Sequence, residues 1–532
     1  MAPEARASES APMLDASGAP VSAESSFEGH SAAVTADQVL RLGGGISLSF
    51  VDDSLFVKDK VAAKRERAKL CGVPVGASQS SISIPFYHVL WAEVAKDAIT
   101  IDYAAVAKDK VTVKKLSYPL GDVPSATAAE WADILLEKSY GKSKQKKRAK
   151  VLVNPFAGPG GVDKIWEHDI RPLFDAARMP LDVVRTKYSG EAIEICEKLD
   201  IDAYDVVIPC SGDGLVYEVF NGLGKRPDAR RALEQLAVAH GPCGSGNGLS
   251  CNINGSHKPG PAALAIVKGV RTPMDLMSVT QGDRRILSFL SQSFGIVAEC
   301  DLGTENLRWM GPVRFDIGVG QRILTGKTWP AEVSVKTVIA DKDEIKSHYK
   351  QGRDHDYSVR RRGIPAMGES APGQADLGEG LPPLKYGTIK DEVPADWATT
   401  TYDKLGNFYC GNMGYMAPGT NFFPAALPND GFMDVTASNG DISTMKYAEL
   451  MLSIEKGKHY DNPLLSYQKV VAYRLTPKQS EGYISIDGER IPFEPFQVEI
   501  HPGLATVLSR NGRFEAPGPL GWETSSAANG VN

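Results

Sequence analysis

The sequence has no CxxC pair. Its seven cysteines (Cys71, Cys196, Cys210, Cys243, Cys251, Cys300 and Cys410) are scattered and odd in number. That spacing frames neither a zinc site nor a disulfide scaffold, and it fits reduced thiols in a cytosolic setting. No apolar run approaches the roughly 20 residues that a spanning helix needs. The start, MAPEARASESAPMLDASGAP, has no apolar stretch behind a basic end, so no signal peptide is expected. There is no basic surplus either. The net charge of -6 over 532 residues argues against a nucleic-acid partner. There is no P-loop, no HRD or DFG of the protein kinases, and no internal repeat.

A hydrophobic content of 42% supports proper cores, and the length implies more than one domain. Residues 1–36 are rich in Ala, Ser, Glu and Pro and are expected to be disordered. Residues 37–120 carry short strand signals. Ile46–Val51, Ile99–Tyr103 and Val111–Val113 alternate, and Ser83–Trp91 is apolar and aromatic. They predict a small β-rich N-terminal module, with His88 an ordinary packed residue. Residues 121–149 read as a short helix around Trp131–Leu136 and a basic linker. Lys142, Lys144, Lys146, Lys147, Arg148 and Lys150 are expected to be solvated, with attraction to anionic lipid as the functional alternative.

An αβ rhythm then fills residues 150–272. Val151–Val153, Leu181–Val184, Val206–Ile208 and Leu236–Ala239 read as buried strands. Helical faces lie between them, one of them N-capped by Ser189. This alternation predicts a mainly parallel sheet with right-handed crossovers. Glycine-rich loops follow three of the strands: Asn154–Gly161, Ser211–Gly214 and His240–Gly248. They should gather at the carboxyl edge of the sheet, where ligands bind. Residues 273–512 turn to β signals, including Asp275–Val279, Arg285–Leu290, Phe294–Ala298 and Gly482–Ile486. Residues 341–396, charged and rich in Gly and Pro, are expected to be a disordered insertion, and 513–532 a disordered tail.

The loops suggest phosphate binding through backbone N–H groups. Asn154, Ser211, Ser245 and Asn247 can donate to phosphate oxygens. Asp213 lies between two glycines at a strand end. It can accept the proton of an attacking hydroxyl or help hold Mg²⁺. Arg308 and Arg314 could neutralise charge on a moving phosphoryl group.

Five blocks, in order, carry a resemblance: VNPFAGPGG, CSGDGLVYEVFNGL, HGPCGSGNGLSCNI, SFGIVAECDLGTENLRWMGPVRF and ISIDGERIPFEPFQVEIHPG. The chain resembles the sphingosine kinase branch of the diacylglycerol kinase catalytic family, closest to the fungal sphingoid long-chain-base kinases. The resemblance implies an α/β nucleotide-binding domain with a mainly parallel sheet, followed by an antiparallel β-sandwich that holds lipid. It implies ATP with Mg²⁺, a sphingoid base as lipid substrate, and a cytoplasmic protein that visits membranes peripherally. The oligomeric state stays open, a homodimer included.

Carried over by position, the resemblance makes Asp213 the general base. Asn154, Pro155, Thr186, Gly190, Ser211 and Glu218 would line the nucleotide, and Gly244, Ser245, Gly246 and Asn247 would cradle it. Arg308 and Arg314 would face the phosphates, while Asp487, Gly488 and Glu489 would return to the nucleotide and its Mg²⁺. Asp301 would hold the polar head of the sphingoid base, favouring an ammonium over a neutral glyceride. Ala157, Pro159 and Tyr217 depart from the family pattern. Rival readings are a diacylglycerol or ceramide kinase, an NAD kinase, and a non-catalytic nucleotide- or lipid-binding pseudokinase.

Overall fold

The computed structural model describes residues 39–59, 81–158, 160–304, 326–353, 379–516, 518 and 522. The expected disorder of residues 1–36 falls outside them.

Seven antiparallel strands build the N-terminal module. β1 (Val39–Leu42), β2 (Ile46–Val51), β3 (Ser54–Asp59) and β4 (Ser81–Pro85) form one sheet, and β5 (Val89–Ala95), β6 (Ala98–Ala107) and β7 (Lys110–Pro119) form another. Helix α1 (Ser125–Tyr140) packs on them and is longer than the Trp131–Leu136 signal. Trp131 stacks on Phe50 with centroids 4.7 Å apart. His88 ends a 3-10 turn, Phe86–His88, as an ordinary packed residue.

The basic run is solvated in part: Lys142, Lys144, Lys146 and Arg148 are exposed, whereas Lys147 and Lys150 are buried. Lys147 is buried and donates to the Val267 carbonyl (2.7 Å) and Ser143 Oγ (2.8 Å). Lys144 and Arg148 both pair with Asp205, and Lys150 pairs with Asp182. Apart from Ser143, the acceptors lie more than thirty residues downstream, where local composition cannot show them. The module is clamped to the next domain by Arg178, whose guanidinium reaches Glu93 (2.8 Å) and Asp102 (3.1 Å).

The α/β domain is built on β8 (Ala149–Val153), β9 (Leu181–Arg185), β10 (Val206–Ser211) and β11 (Ala237–Val238), all parallel, in the order β11-β10-β8-β9. Every residue of β8 and β10 is buried, as expected for strands covered on both faces. Helices α2 (Arg171–Ala176), α3 (Glu191–Glu197), α4 (Asp213–Gly224), α5 (Ala229–Gln235), α6 (Gly248–Ile253) and α7 (Pro259–Val267) cover it. The two-residue strand β12 (Gly241–Pro242) runs parallel beside the end of β10.

The second half is antiparallel. β13 (Val270–Gln281), β14 (Arg284–Ser288) and β15 (Ser291–Gly295) lead into helix α8 (Ile296–Gly303). The strand expected over Phe294–Ala298 therefore stops at Gly295, whose φ of 97° turns the chain into that helix. β16 (Ala331–Ile339), β17 (Ala398–Tyr402), β18 (Leu405–Gly411), the small pair β19 (Tyr415–Ala417) and β20 (Thr420–Asn421), and β21 (Met433–Asn439) follow. β22 (Ser466–Pro477), β23 (Ile484–Ile486), β24 (Glu489–Ile491) and β25 (Phe496–Ser509) complete the strands of the described residues. The 14-residue β25 joins the two halves. It pairs antiparallel with β13 and β22 and parallel with β11, making one continuous sheet.

The insertion and the tail are in part ordered. Helix α9 (Lys342–Gly352) starts at Asp341, whose side chain accepts from the Asp343 and Glu344 N–H groups. It buries Ile345 and Tyr349, four apart. In the tail, Trp522 packs edge-on against Tyr349 and Tyr460. Residues 354–378 lie outside the described set.

Candidate active site

Strand β10 carries Ser211, Gly212 and Asp213 to the carboxyl edge of the sheet. Because Cys210 is in register with Gly241 and Ser211 with Pro242, the third glycine loop runs directly beside the second. The Ser211 carbonyl accepts from the N–H groups of Cys243 (2.8 Å) and Gly244 (3.1 Å). A β-carbon on Gly244 would stand 2.4 Å from the Gly212 α-carbon, so no side chain fits between these loops. The first loop closes on them too: a β-carbon on Gly158 would meet the Cys243 carbonyl at 3.3 Å. Asn247, at φ 56°, locks the third loop. Its Oδ1 accepts from Gly244 N–H (3.0 Å) and its Nδ2 donates to the Gly244 carbonyl (2.8 Å). Ser245 sits exposed at the tip.

Asp213 opens helix α4 but reaches across to α6. Oδ2 accepts from Gly248 N–H at 2.8 Å and Oδ1 from Leu249 N–H at 3.0 Å. These are the first N–H groups of α6, which have no partner within the helix. The carboxylate is thereby fixed at the meeting point of the glycine loops. Its side chain stays 11% exposed, so an incoming group can reach it. Behind it stands His240, fully buried, which donates from Nε2 to the Ser211 carbonyl at 3.0 Å. His240 is not among the site residues that the sequence points to. A histidine between a buried strand and a glycine loop was the available signal.

The antiparallel half approaches the same edge. Glu489 Oε1 would lie 2.8 Å from a β-carbon on Gly214. Asp301, on α8, accepts from Ser485 Oγ at 2.9 Å, and its Oδ2 would lie 3.8 Å from a β-carbon on Gly488. Asp301, Ser485, Gly488 and Glu489 thus form one group that meets the second loop at Gly214.

Asp487 is differently employed. It is buried, and its carboxylate accepts from Ser288 Oγ (2.7 Å) and from the N–H groups of Phe289, Leu290 and Ser291 (2.9 Å each). Burial pushes its carboxyl up to about 6 against the pull of these donors. It holds the β14–β15 turn to the Asp487–Gly488 turn.

Glu218 is also occupied. It accepts from Gly190 N–H (2.9 Å) and Ala192 N–H (3.2 Å) and so caps α3. Ser189 does not cap that helix: Gly190 stands at the N-cap position with φ 91°. Thr186 is buried, with its N–H on the Val153 carbonyl (2.9 Å). Asn154 follows β8, and its Oδ1 accepts from Phe156 N–H (3.0 Å), which shapes the first loop around Pro155. Burial beside Asp487, Glu489 and Glu218 raises the Tyr217 phenol. Arg308, Arg314 and Pro159 lie outside the described residues.

Residues 148–279 match the diacylglycerol kinase catalytic domain family, and residues 387–509 match the YegS C-terminal NAD kinase beta sandwich-like domain. Residues 38–141 match a domain of unknown function, DUF7493. Sphingoid long chain base kinase 5 of Saccharomyces cerevisiae is 34% identical over 465 residues, covering 78% of this chain and 68% of that protein. The chain belongs to the sphingoid long-chain-base kinase family. Sphingoid long chain base kinase 4 of Schizosaccharomyces pombe is 31% identical, covering 84% of this kinase and 92% of that one. Human sphingosine kinase 1 is 28% identical, covering 70% and 92% respectively. The α/β half with its parallel sheet and the antiparallel half are the kinase's expected fold. Among its described helices none is long and apolar enough to cross a membrane.

Proposed function

We infer that this kinase transfers the γ-phosphate of ATP to the primary hydroxyl of a sphingoid long-chain base. The observation that carries this reading is the meeting of three glycine loops around one fixed carboxylate, Asp213, with Asp301 and Glu489 arriving from the lipid-binding half. Backbone N–H groups of the loops hold the phosphates. Asp213 takes the proton of the attacking hydroxyl as its oxygen closes on the γ-phosphorus in line with the leaving ADP oxygen. Its hydrogen bonds from α6 fix the carboxylate's direction before substrate arrives.

Mg²⁺ supplies charge neutralisation on the phosphates when bound. Among the described residues no three His, Cys, Asp or Glu side chains gather as a preformed metal site. Glu489, exposed beside Gly214, is the described residue that would hold the ion. Asp487 does not fit, because its oxygens already accept four hydrogen bonds. Arg308 and Arg314 are assigned to the ATP phosphates by their sequence block alone.

Asp301 selects the head group. A carboxylate there attracts the ammonium of a sphingoid base, an attraction that a neutral glyceride cannot supply. Asp301→Asn should therefore lower turnover on sphingoid bases far more than on diacylglycerol, measured side by side with labelled ATP. Equal losses on both lipids would refute the head-group role. Substrate is drawn from a membrane surface that the protein visits without crossing.

A further inference from the structure

Asp213 must pass on the proton it takes, and the structure places a second acceptor behind it. His240 is fully buried. Its Nε2 lies 3.0 Å from the Ser211 carbonyl, an oxygen that can only accept, so Nε2 carries a hydrogen. The neutral ring then bears its lone pair on Nδ1. That atom is buried, has no hydrogen-bond partner, and lies 3.7 Å from Asp213 Oδ1. The backbone holds the ring in place: the His240 carbonyl accepts from Asn254 Nδ2 at 3.2 Å. Unsatisfied buried nitrogens are uncommon, and one 3.7 Å from the proposed base calls for a function.

We propose that His240 is the positioning residue that receives the substrate's proton from Asp213. The hydroxyl O–H bond breaks as its oxygen forms the bond to phosphorus, and the proton joins Asp213. It then moves to His240 Nδ1, which restores the carboxylate and leaves an imidazolium held between Asp213 and the Ser211 carbonyl. After the phosphorylated lipid departs, the proton returns through Asp213 to water. The inference rests on Asp213 acting as the base.

The surroundings suit this role. Burial pushes His240 down from its ordinary value, so the ring is neutral and able to accept near pH 7, while the Asp213 carboxylate supports the charged form. From β10, Cys210 is a buried thiol pushed well up by its surroundings. From α6, Cys251 lies toward Asp213 and burial pushes it up to about 12, so neither thiol competes as an anion. Among the described ionisable groups, Asp213 is the one whose charge acts on the ring.

His240→Gln keeps an N–H for the Ser211 carbonyl but cannot titrate. In the full-length kinase it should lower kcat about 10-fold with KM for ATP and lipid unchanged. The acid limb of its kcat profile should move to lower pH, because protonated His240 no longer blocks the transfer. Wild-type kcat with an unmoved acid limb would overturn the proposal. A second arm needs no His240 variant and no lipid turnover. In ¹⁵N-histidine spectra of the wild type, the neutral His240 ring should carry its hydrogen on Nε2. Its titration should move to lower pH in Asp213→Asn. A hydrogen on Nδ1, or a titration indifferent to Asp213, would overturn the proposal. Absence of lipid turnover in the wild type would instead overturn the assigned reaction and leave this second arm to decide on the pair.

Discussion

Gly244 lies so close to Gly212 that a β-carbon on it would stand 2.4 Å from the Gly212 α-carbon and 2.7 Å from its nitrogen. Both contacts are to backbone, which cannot swing away as a side chain can. Gly244→Ala should force the second and third loops apart and move Asp213 from its place beside the phosphates. We expect turnover to fall by about 100-fold, since displacements near 1 Å at a reacting centre have that effect. Steady-state assays, with circular dichroism to confirm folding, check this.

Asp213→Asn should lower turnover by roughly two to four orders of magnitude. From sequence the variant is expected to fold normally. The structure adds a stability effect, because the asparagine amide would set its NH₂ against Gly248 or Leu249 N–H. Loss of such a helix-start acceptor destabilises by about 1 kcal/mol. A denaturant titration should show a lower midpoint alongside the lost activity.

Glu218→Ala should behave as a cap deletion. The carboxylate holds the start of α3 through Gly190 and Ala192. We expect a stability loss of about 1 kcal/mol, with KM for ATP changed less than twofold. A large rise in KM with unchanged stability would return Glu218 to the nucleotide pocket.

Lys147 gives a pH signature. Burial without a contacting carboxylate pushes its ammonium down to about 7 in the folded protein, from 10.5. Between those values the unfolded chain binds more protons than the folded one, so stability rises with pH across that interval. The thermal midpoint should climb from pH 7 toward pH 9, and Lys147→Met should flatten the climb. A midpoint that falls over that range in the wild type and not in the variant would contradict the burial.

These predictions divide along what the sequence makes legible. The three glycine loops and Asp213 are readable because strand, turn and helix follow within a few residues, and strand ends fix where they gather. The start of α9 is not legible in the same way: Asp341 and the spacing of Ile345 and Tyr349 are local signals, but the charge around them masks them. Other assignments depend on contacts far apart in the chain. Asp487 meets its donors 196 to 199 residues away, and Trp522 meets Tyr349 across a similar span. No local pattern shows whether a carboxylate in an Asp-Gly-Glu turn faces a ligand or a backbone. Glu218 illustrates the same point, since its partners belong to the preceding helix.

The central claim is tested most directly by incubating the full-length kinase with γ-labelled ATP and a panel of lipids: sphingosine, dihydrosphingosine, phytosphingosine, ceramide and diacylglycerol. The account predicts label in the sphingoid base 1-phosphates, little in the amide or glyceride products, and near-complete loss in Asp213→Asn. Preferential labelling of diacylglycerol or ceramide, or sphingoid-base labelling that survives Asp213→Asn unchanged, would contradict it.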